Sequence, residues 1–404
     1  MKHKPLISER LFAFNEDCFS STKFNRRYRM VVQEKLNKQN EHIAQYIYER
    51  EKELHFLNLS ILAKQHMMML GLPGIAKSEM ARYKFAHFVA KMFYNNCHSY
   101  TVPSDLIGMQ IVDRIKLGIL EYRIENMLPD CTFAILDEVF KVAKALSSLL
   151  PILHERKFKN GEIEIDIPLN NAVLISNELP SDPEIKGAFF DRCPIRFEVS
   201  PIADDENLTK LVKKSFLNPF QVIPENIIEK DELSQAQKEV KAINLSDETI
   251  EAVRDIFRAV NSEGIYVSDR QFFQFASIIK SEAFMNGRTV TDPEDCHVLT
   301  ETMWHEPKQR KTVADIVNGF VNTNLIKINE IFDMACAEYD SWKKEAQAAD
   351  HKAASARMKL IRSDFENLPV KKNNSQEHST KKNKIVQMHG EMMKYALQQA
   401  KLGR

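Results

Sequence analysis

The sequence predicts an α/β domain followed by all-helical regions, on three observations. Between Gln65 and about Pro201, short apolar runs at Met67 to Leu70, Phe133 to Leu136 and Ala172 to Ile175 alternate with helix-like stretches. Each run gives way to polar or glycine residues, as buried parallel strands do. From about Asp204 the period changes: Ile250, Val253, Ile256, Phe257 and Val260 recur every 3.6 residues, as on one face of a helix.

The elements follow in order. Residues 1 to about 66 read as helical, because segments such as Arg29 to Ile47 are rich in Gln, Lys, Glu and Asn and lack Gly and Pro. Two hairpins interrupt the α/β region. In Lys157 to Leu169 the pair Asn160-Gly161 signals a type I′ turn, followed by an alternating, half-buried strand from Glu162 to Ile167. Residues 109–126 form a second hairpin around Lys116 to Gly118. Asp204 to Pro307 is helical, with Arg270 to Phe284 again showing the 3.6-residue period. Long helices run from 308 to about 362. The polar, lysine-rich stretch 367–384 reads as a disordered linker. A short helix follows, with Met388, Met392, Tyr395 and Leu402 roughly on one side.

Composition narrows the function classes. A chain of 404 residues holds two or three domains, and 44% apolar residues suffice for real cores. The 56 basic and 56 acidic residues cancel, so nothing global points to nucleic acid or a membrane surface. Six scattered cysteines form no CxxC pair, which argues against a disulfide framework or zinc site and for a reducing compartment. The N-terminus lacks the apolar run of a signal peptide, and no stretch approaches a membrane span. The expected setting is cytoplasmic.

Two motifs carry chemistry. Gly71-Leu72-Pro73-Gly74-Ile75-Ala76-Lys77-Ser78 comes straight after the apolar run Met67 to Leu70. A loop between strand and helix aims backbone N–H groups at phosphates, and the helix N-terminus adds positive partial charge. Lys77 is placed to reach the β- and γ-phosphates of ATP, and Ser78 to ligate Mg²⁺. Ala76 stands where the usual pattern has Gly, which a helical φ at that position would allow. Some 60 residues on, Phe133 to Leu136 ends in Asp137-Glu138. Asp137 is placed to hold Mg²⁺ through water, and Glu138 to act as general base on the attacking water. Asn177 ends the run Val173 to Ser176 and belongs at the mouth of the same sheet, where it could orient that water. In Phe190 to Arg196, an arginine can reach a neighbouring copy's γ-phosphate, an effect of roughly 10³–10⁵ in rate where it operates.

With these residues in place, the chain resembles the MoxR family of AAA+ ATPases, and within it the RavA-like branch. Gly71 to Ser78 resembles the family's Walker A, in which Ala76 is normal, and Ile135 to Lys141 its Walker B with a trailing aromatic-Lys pair. Leu149 to Glu162 resembles the segment leading into the pre-sensor hairpin, except that His154 stands where the family usually has Asn. Leu174 to Pro180 resembles sensor 1, with Asn177. Phe189 to Val199 resembles the arginine-finger segment and points to Arg192, with Arg196 the weaker candidate. Val267 to Arg288 resembles the lid helix carrying sensor 2, which points to Arg270. Tyr48 to Glu51 resembles the start of the family's first core helix. A small β-rich domain found in RavA-like proteins has little counterpart here.

The resemblance implies a five-stranded parallel AAA+ core with N-terminal helices (1–203), an all-α lid (204–307), a C-terminal helical extension (308–366) and a basic flexible tail (367–404). It implies ATP and Mg²⁺ as cofactors, held by Gly71, Pro73, Gly74, Ile75, Ala76, Lys77, Ser78 and Asp137, with Ser78 and Asp137 at the metal. Glu138, Asn177, Arg192 and Arg270 take the catalytic roles. It further implies a homo-oligomeric ring, expected as a hexamer, that remodels a client protein in a chaperone-like way, with a von Willebrand factor A domain protein as a possible partner. Two other readings stand beside it: a nucleic-acid-dependent motor, and a nucleotide-gated scaffold with slow hydrolysis. The acidic residues Glu162, Glu164 and Asp166 weigh against the first, and the presence of Glu138 and Arg192 against the second.

Overall fold

The computed structural model describes residues 16–142, 150–180, 182–215, 223–321, 323–344, 351–368 and 375–401. Residues 1–15, read from sequence as the start of a helical region, lie outside the described residues, as do Leu149 and Leu402. The chain divides into two compact units, Met1–Val317 and Asn318–Arg404.

The first unit is built on a five-stranded parallel sheet. Its strands are β1 (Met67–Leu70), β2 (Met92–Asn96), β5 (Phe133–Asp137), β8 (Asn171–Ser176) and β9 (Ile195–Glu198), in the order β2-β5-β8-β1-β9. All four pairings are parallel. β1 and β8 are buried along their whole length, which explains their unbroken apolar runs. Met67, Met68 and Met69 are fully buried in β1, so part of the high methionine content fills an interior strand.

Helices cover the sheet. α1 (Glu16–Ala44) buries Val32, Leu36, Gln39 and Ile43, a stripe at helical spacing. α2 (Glu51–Ala63) is apolar on nearly every side, because it lies between the sheet and the helices that follow it. α3 (Lys77–Ala86) starts at the end of β1, and Phe85 stacks on Phe133 of β5 at 4.4 Å. Further along come α4 (Leu150–Glu155), α5 (Pro183–Arg192) and α6 (Asp205–Ser215).

Both predicted hairpins form, with differences. β3 (Met109–Gln110) and β4 (Tyr122–Arg123) pair over only two residues, with a helical turn at Val112–Ile115 between them. β6 (Lys157–Asn160) pairs with β7 (Ile163–Asp166), so the turn residues are Gly161-Glu162, not Asn160-Gly161. Only Gly161 has positive φ (66°), which fits a II′ turn with Gly at the first central position. Asn160 has other work: its Nδ2 donates to the Tyr122 carbonyl (3.0 Å) and its Oδ1 accepts from the Tyr122 N–H (2.6 Å), clamping the hairpins together. The alternation of β7 does not bury one face as expected, since Ile163 at the tip is 68% exposed.

The lid comprises α7 (Lys230–Ala242), α8 (Asp247–Ser262), α9 (Asp269–Met285) and a 3₁₀ helix at Pro293–Glu301. It is tied to the preceding helices by Lys35–Glu232 (2.6 Å), His55–Glu282 (2.6 Å) and Lys52–Glu301 (2.6 Å). α10 (Arg310–Val321) follows.

The second unit holds α11 (Thr323–Lys344), α12 (His351–Glu366) and α13 (Ser375–Lys401), packed around Trp342, Met358, Phe365, Ile385 and Met392. This corrects the reading of 367–404 as a flexible tail with a short helix. Residues 369–374 lie outside the described residues, but Ser375 to Lys401 is one helix. Ile385, Met388, Met392 and Tyr395 fall at helical spacing and pack on the unit's core, which outweighs the polar composition of the helix's first turns.

Candidate active site

The carboxyl ends of β1, β5 and β8 converge on one cleft of about 450 Å³. The order of the sheet makes this so. β1 lies between β8 and β9, while the chain leaving β1 through α3 crosses to β2 at the far edge. Such a reversal opens a crevice at the strand ends.

The loop from Gly71 to Ala76 forms one wall. Gly71 has φ 144°, and a Cβ there would sit 2.4 Å from the Val199 carbonyl oxygen, so only glycine lets the loop leave β1 beside β9. Ala76, immediately before α3, has φ 62° and ψ 22°. The helical φ that would have made Ala harmless is not what the chain adopts: Ala76 is left-handed, a conformation that costs an L-residue about 1–2 kcal/mol. The strain turns the chain so that α3 begins at Lys77.

Lys77 is 6% exposed. Its Nζ donates to the carbonyls of Gly71 (2.6 Å) and Leu72 (2.7 Å) and to Asn177 Oδ1 (3.2 Å). Burial pushes its pKa down, against the opposing pull of Asp137 and Glu138. Ser78 Oγ donates to Asp137 Oδ2, and Asp137 Oδ1 accepts the Glu138 N–H at 2.9 Å. Glu138 is also left-handed, with φ 52°. Its Oε1 accepts from Asn177 Nδ2, and its Oε2 pairs with Lys141 at 3.4 Å. Asn177 thus touches both Lys77 and Glu138. Backbone strain of this kind collects at functional sites, where surrounding contacts hold it in place.

A hydroxyl and a carboxylate in contact at the foot of a phosphate-binding loop are the hard oxygen donors that Mg²⁺ takes, so Ser78 and Asp137 fit that ion. The residues fit a nucleotide as well. A second cavity of about 330 Å³ shares Gly74, Ile75, Ala76 and Glu79 with the cleft. Its other walls include Ile47, Tyr48, Ile202 and Leu208, an apolar slot suited to a flat base. Glu49 ties this slot together by accepting the N–H groups of Ala203 (2.8 Å) and Asp204 (3.0 Å), which hold its carboxyl below the usual range.

The arginines lie elsewhere, at the end of α5. Arg192 is half-buried: its Nη1 donates to the Ala188 carbonyl (2.8 Å), and its Nε is buried without a partner among the described residues. Arg270, in the first turn of α9, pairs with Asp191 at 2.6 Å. Neither arginine lines the cleft that holds Lys77 and Glu138. Arg196 is fully buried, donates to the Phe190 and Thr302 carbonyls, and lies over the Phe190 ring at 4.9 Å. Burial pushes its pKa down to about 9. It braces β9 against the lid from a fully buried position. His154 in α4 sits near Arg192 and Arg270, and burial, then Arg270 and Arg192, push its pKa down.

Comparison with known proteins agrees with this geometry. Residues 34–238 match the family described as the MoxR domain in the MoxR-vWA-beta-propeller ternary systems, and residues 248–317 match an AAA lid domain. Two uncharacterized proteins of Methanocaldococcus jannaschii are similar: MJ0812 is 33% identical over 68% of this chain and 72% of its own length. MJ0079 is 32% identical over 73% of this chain and 78% of its own length. The chain belongs to the MoxR family of AAA+ ATPases. A crystal structure of a presumed ATPase from Cytophaga hutchinsonii shares the fold, with a TM-score of 0.61 at 18% identity, covering 75% of this chain and 97% of its own.

The structure brings together Lys77, Ser78, Asp137, Glu138 and Asn177 and leaves Arg192 and Arg270 in a separate cluster on the same protomer. Sequence reasoning missed Arg82, Tyr94 and Asn96, which also line the cleft. The Arg82 guanidinium lies 5.0 Å from the Tyr94 ring centroid, and Asn96 is in register with Asp137. The alternation of Tyr94 and Asn96 along β2 was the available signal, since residues two apart share a face.

Proposed function

We propose that this chain binds ATP with Mg²⁺ in the cleft, hydrolyses it at contacts between copies in a ring, expected as a hexamer, and uses the cycle to remodel a protein client. The observation that carries the reading is the convergence of Lys77, Ser78, Asp137, Glu138 and Asn177 in one cleft. Mg²⁺ bound with the nucleotide would neutralise charge on the phosphates and on the leaving group. Lys77 and the α3 N-terminus bind the phosphates. Glu138, oriented by Asn177, takes the proton of the attacking water. Arg192 and Arg270 share a patch outside this cleft, so their service falls to the nucleotide of an adjoining copy. That arrangement is the reason for proposing a ring.

The hairpins support a polypeptide client. Met109, Val112, Leu117, Leu120 and Ile163 are more than half exposed there. The neighbouring charges pair with one another: Arg114 with Glu121, Lys116 with Asp113, Lys157 with Glu164. Paired charges with exposed apolar side chains suit a polypeptide and offer little to nucleic-acid phosphates. The setting we propose is cytoplasmic. The family description names a vWA component, which supports a von Willebrand factor A domain protein as the partner we propose. It names a system with a β-propeller component, whereas the RavA-like affinity rests on motif likeness alone.

The test is turnover per protomer across a dilution series, with Lys77→Ala as control. The expected result is activity that rises with concentration as rings assemble, and loss of nucleotide affinity in Lys77→Ala. Turnover per protomer that stays flat over a wide range counts against the interface, and unchanged affinity in Lys77→Ala counts against the cleft.

A further inference from the structure

The last turn of α5 is gripped by the lid. Asp191 Oδ1 accepts from Ser268 Oγ (3.0 Å), Oδ2 accepts from Arg270 Nη1 (2.6 Å), and its carbonyl accepts from Gln274 Nε2 (2.9 Å). Three side chains from α9 and its N-cap thus meet on one residue of the core. The preceding carbonyl, Phe190, accepts from Arg196 (3.1 Å) and Gln271 (3.5 Å). On its other side the same turn touches the loop after Walker B: Phe189 meets Phe140 edge-on, with centroids 5.5 Å apart, two residues beyond Glu138.

We propose that Asp191 is a positioning residue that couples the lid to the arginine finger, so that a shift of the first turn of α9 carries Arg192 with it. The coupling rests on the proposed function, since it gives Arg192 and Arg270 a common task.

The physical reason is rigidity. Arg192 follows Asp191 across one planar peptide bond, so its Cα sits 3.8 Å away and has two soft dihedrals to adjust. Those are fixed by the helix: Cys193 N–H donates to the Phe189 carbonyl at 2.8 Å, and Arg192 Nη1 donates to Ala188. Any displacement of Asp191 therefore reaches Arg192 nearly undiminished. The Asp191–Arg270 contact also shapes the second arginine. It uses one N–H of the guanidinium fork and leaves the others without an acceptor among the described residues, at 48% side-chain exposure. The carboxylate fixes the plane of the fork while the remaining donors face outward. A half-exposed pair of this kind contributes little to folding.

The two ends of the turn give the coupling a direction. A nucleotide held by the core of one copy acts on the Glu138 loop, which touches Phe189, while the lid acts on Asp191. The two inputs enter the same helical turn, three residues and one residue before Arg192.

The test uses the full chain with Asp191→Asn, Arg270→Ala and the double variant. Three readouts are taken: steady-state ATPase, thermal unfolding, and hydrogen exchange with and without a non-hydrolysable ATP analogue. Asp191→Asn is expected to lower kcat about tenfold, within the usual range of coupling energies, with KM within twofold and the unfolding midpoint unmoved. The double variant is expected to be no slower than Arg270→Ala alone, because Asp191 works through Arg270. In exchange, the amides of 189–193 and 269–274 are expected to respond together to the analogue in the wild type, and to respond independently in Asp191→Asn. Unchanged kcat in Asp191→Asn, or losses that multiply in the double variant, would overturn the proposal. So would exchange at 189–193 that still follows the lid without the carboxylate. A wild type that binds the analogue and hydrolyses nothing would sink the proposed function instead, and the exchange data would still decide the coupling.

Discussion

The cleft beneath the phosphate loop and the arginine cluster at the end of α5 make a useful contrast. In the cleft the groups at the phosphate loop meet within the same chain: Lys77 near Asp137 and Glu138, Ser78 on Asp137, Asn177 on Glu138. At the end of α5, Arg270 pairs with Asp191, while Arg192 donates to the Ala188 carbonyl and its Nε has no partner among the described residues. In one site the functional groups already contact one another within a single copy. The other is half a site, with cationic donors and too few acceptors. Buried donors left unsatisfied are costly, so such a deficit persists where something else supplies the acceptor.

The largest effect expected from this contrast is in Arg192→Ala. Turnover should fall by about 10³, as when an arginine finger is lost, with nucleotide affinity of dilute protomers unchanged. Weaker binding by the isolated protomer would place Arg192 in its own cleft and erase the contrast. Arg196→Ala, only four residues on, should act oppositely. It leaves the Thr302 carbonyl without its donor and the Phe190 carbonyl with Gln271 alone, and opens a cavity beside Trp304, so stability should drop by about 3 kcal/mol. Denaturant unfolding reads this directly. A stable Arg196→Ala protein with lost turnover would mean the finger had been assigned to the wrong arginine.

The third test concerns the pH at which the two sites can be compared. His66 is buried, accepts the Ala172 N–H at Nδ1 (2.9 Å), and therefore donates from Nε2 to the Leu153 carbonyl (2.6 Å). Burial pulls its pKa down to about 3. The unfolded chain protonates this histidine near 6.5 while the folded chain does not, so its contribution is complete above pH 6.5 and is lost as pH falls toward about 3. Stability should decline by about 1.4 kcal/mol per pH unit in that window from this group, and His66→Gln should flatten the slope by about one proton. A slope indifferent to His66→Gln would show that other groups set the acid limit.

The smallest effect belongs to Ala76→Gly. Relief of the left-handed strain at φ 62° should raise stability by about 0.5–1 kcal/mol, after the extra chain entropy of glycine is subtracted. A lower unfolding midpoint would show that the Ala76 methyl contributes packing that outweighs its strain.

Much of the cleft was legible in the sequence because its parts are local. A strand that is buried on both faces must read as an apolar run, and a phosphate loop must place Gly, Lys and Ser at fixed spacing, so Met67 to Ser78 and Phe133 to Glu138 identify themselves. What depended on long-range contact was not legible. Arg192 and Arg196 look alike in sequence, and their fates are separated by Phe190, Trp304 and Thr302, which enclose only the second. The turn at Gly161-Glu162 was misplaced because the Asn160 side chain is committed to Tyr122, almost forty residues earlier. The helix Ser375–Lys401 was underestimated because its apolar stripe is sparse and gains its stability from α11 and α12.

The most direct measurement is phosphate release from Mg·ATP by the wild type and by Glu138→Gln, with molecular mass followed in the same solutions. The expected result is a ring that forms with ATP in both proteins, with turnover in Glu138→Gln reduced by about 10²–10⁴, the range for loss of a general base. Undiminished turnover in Glu138→Gln, or turnover by a species that never leaves the monomer, would contradict a cleft whose chemistry is completed by a second copy.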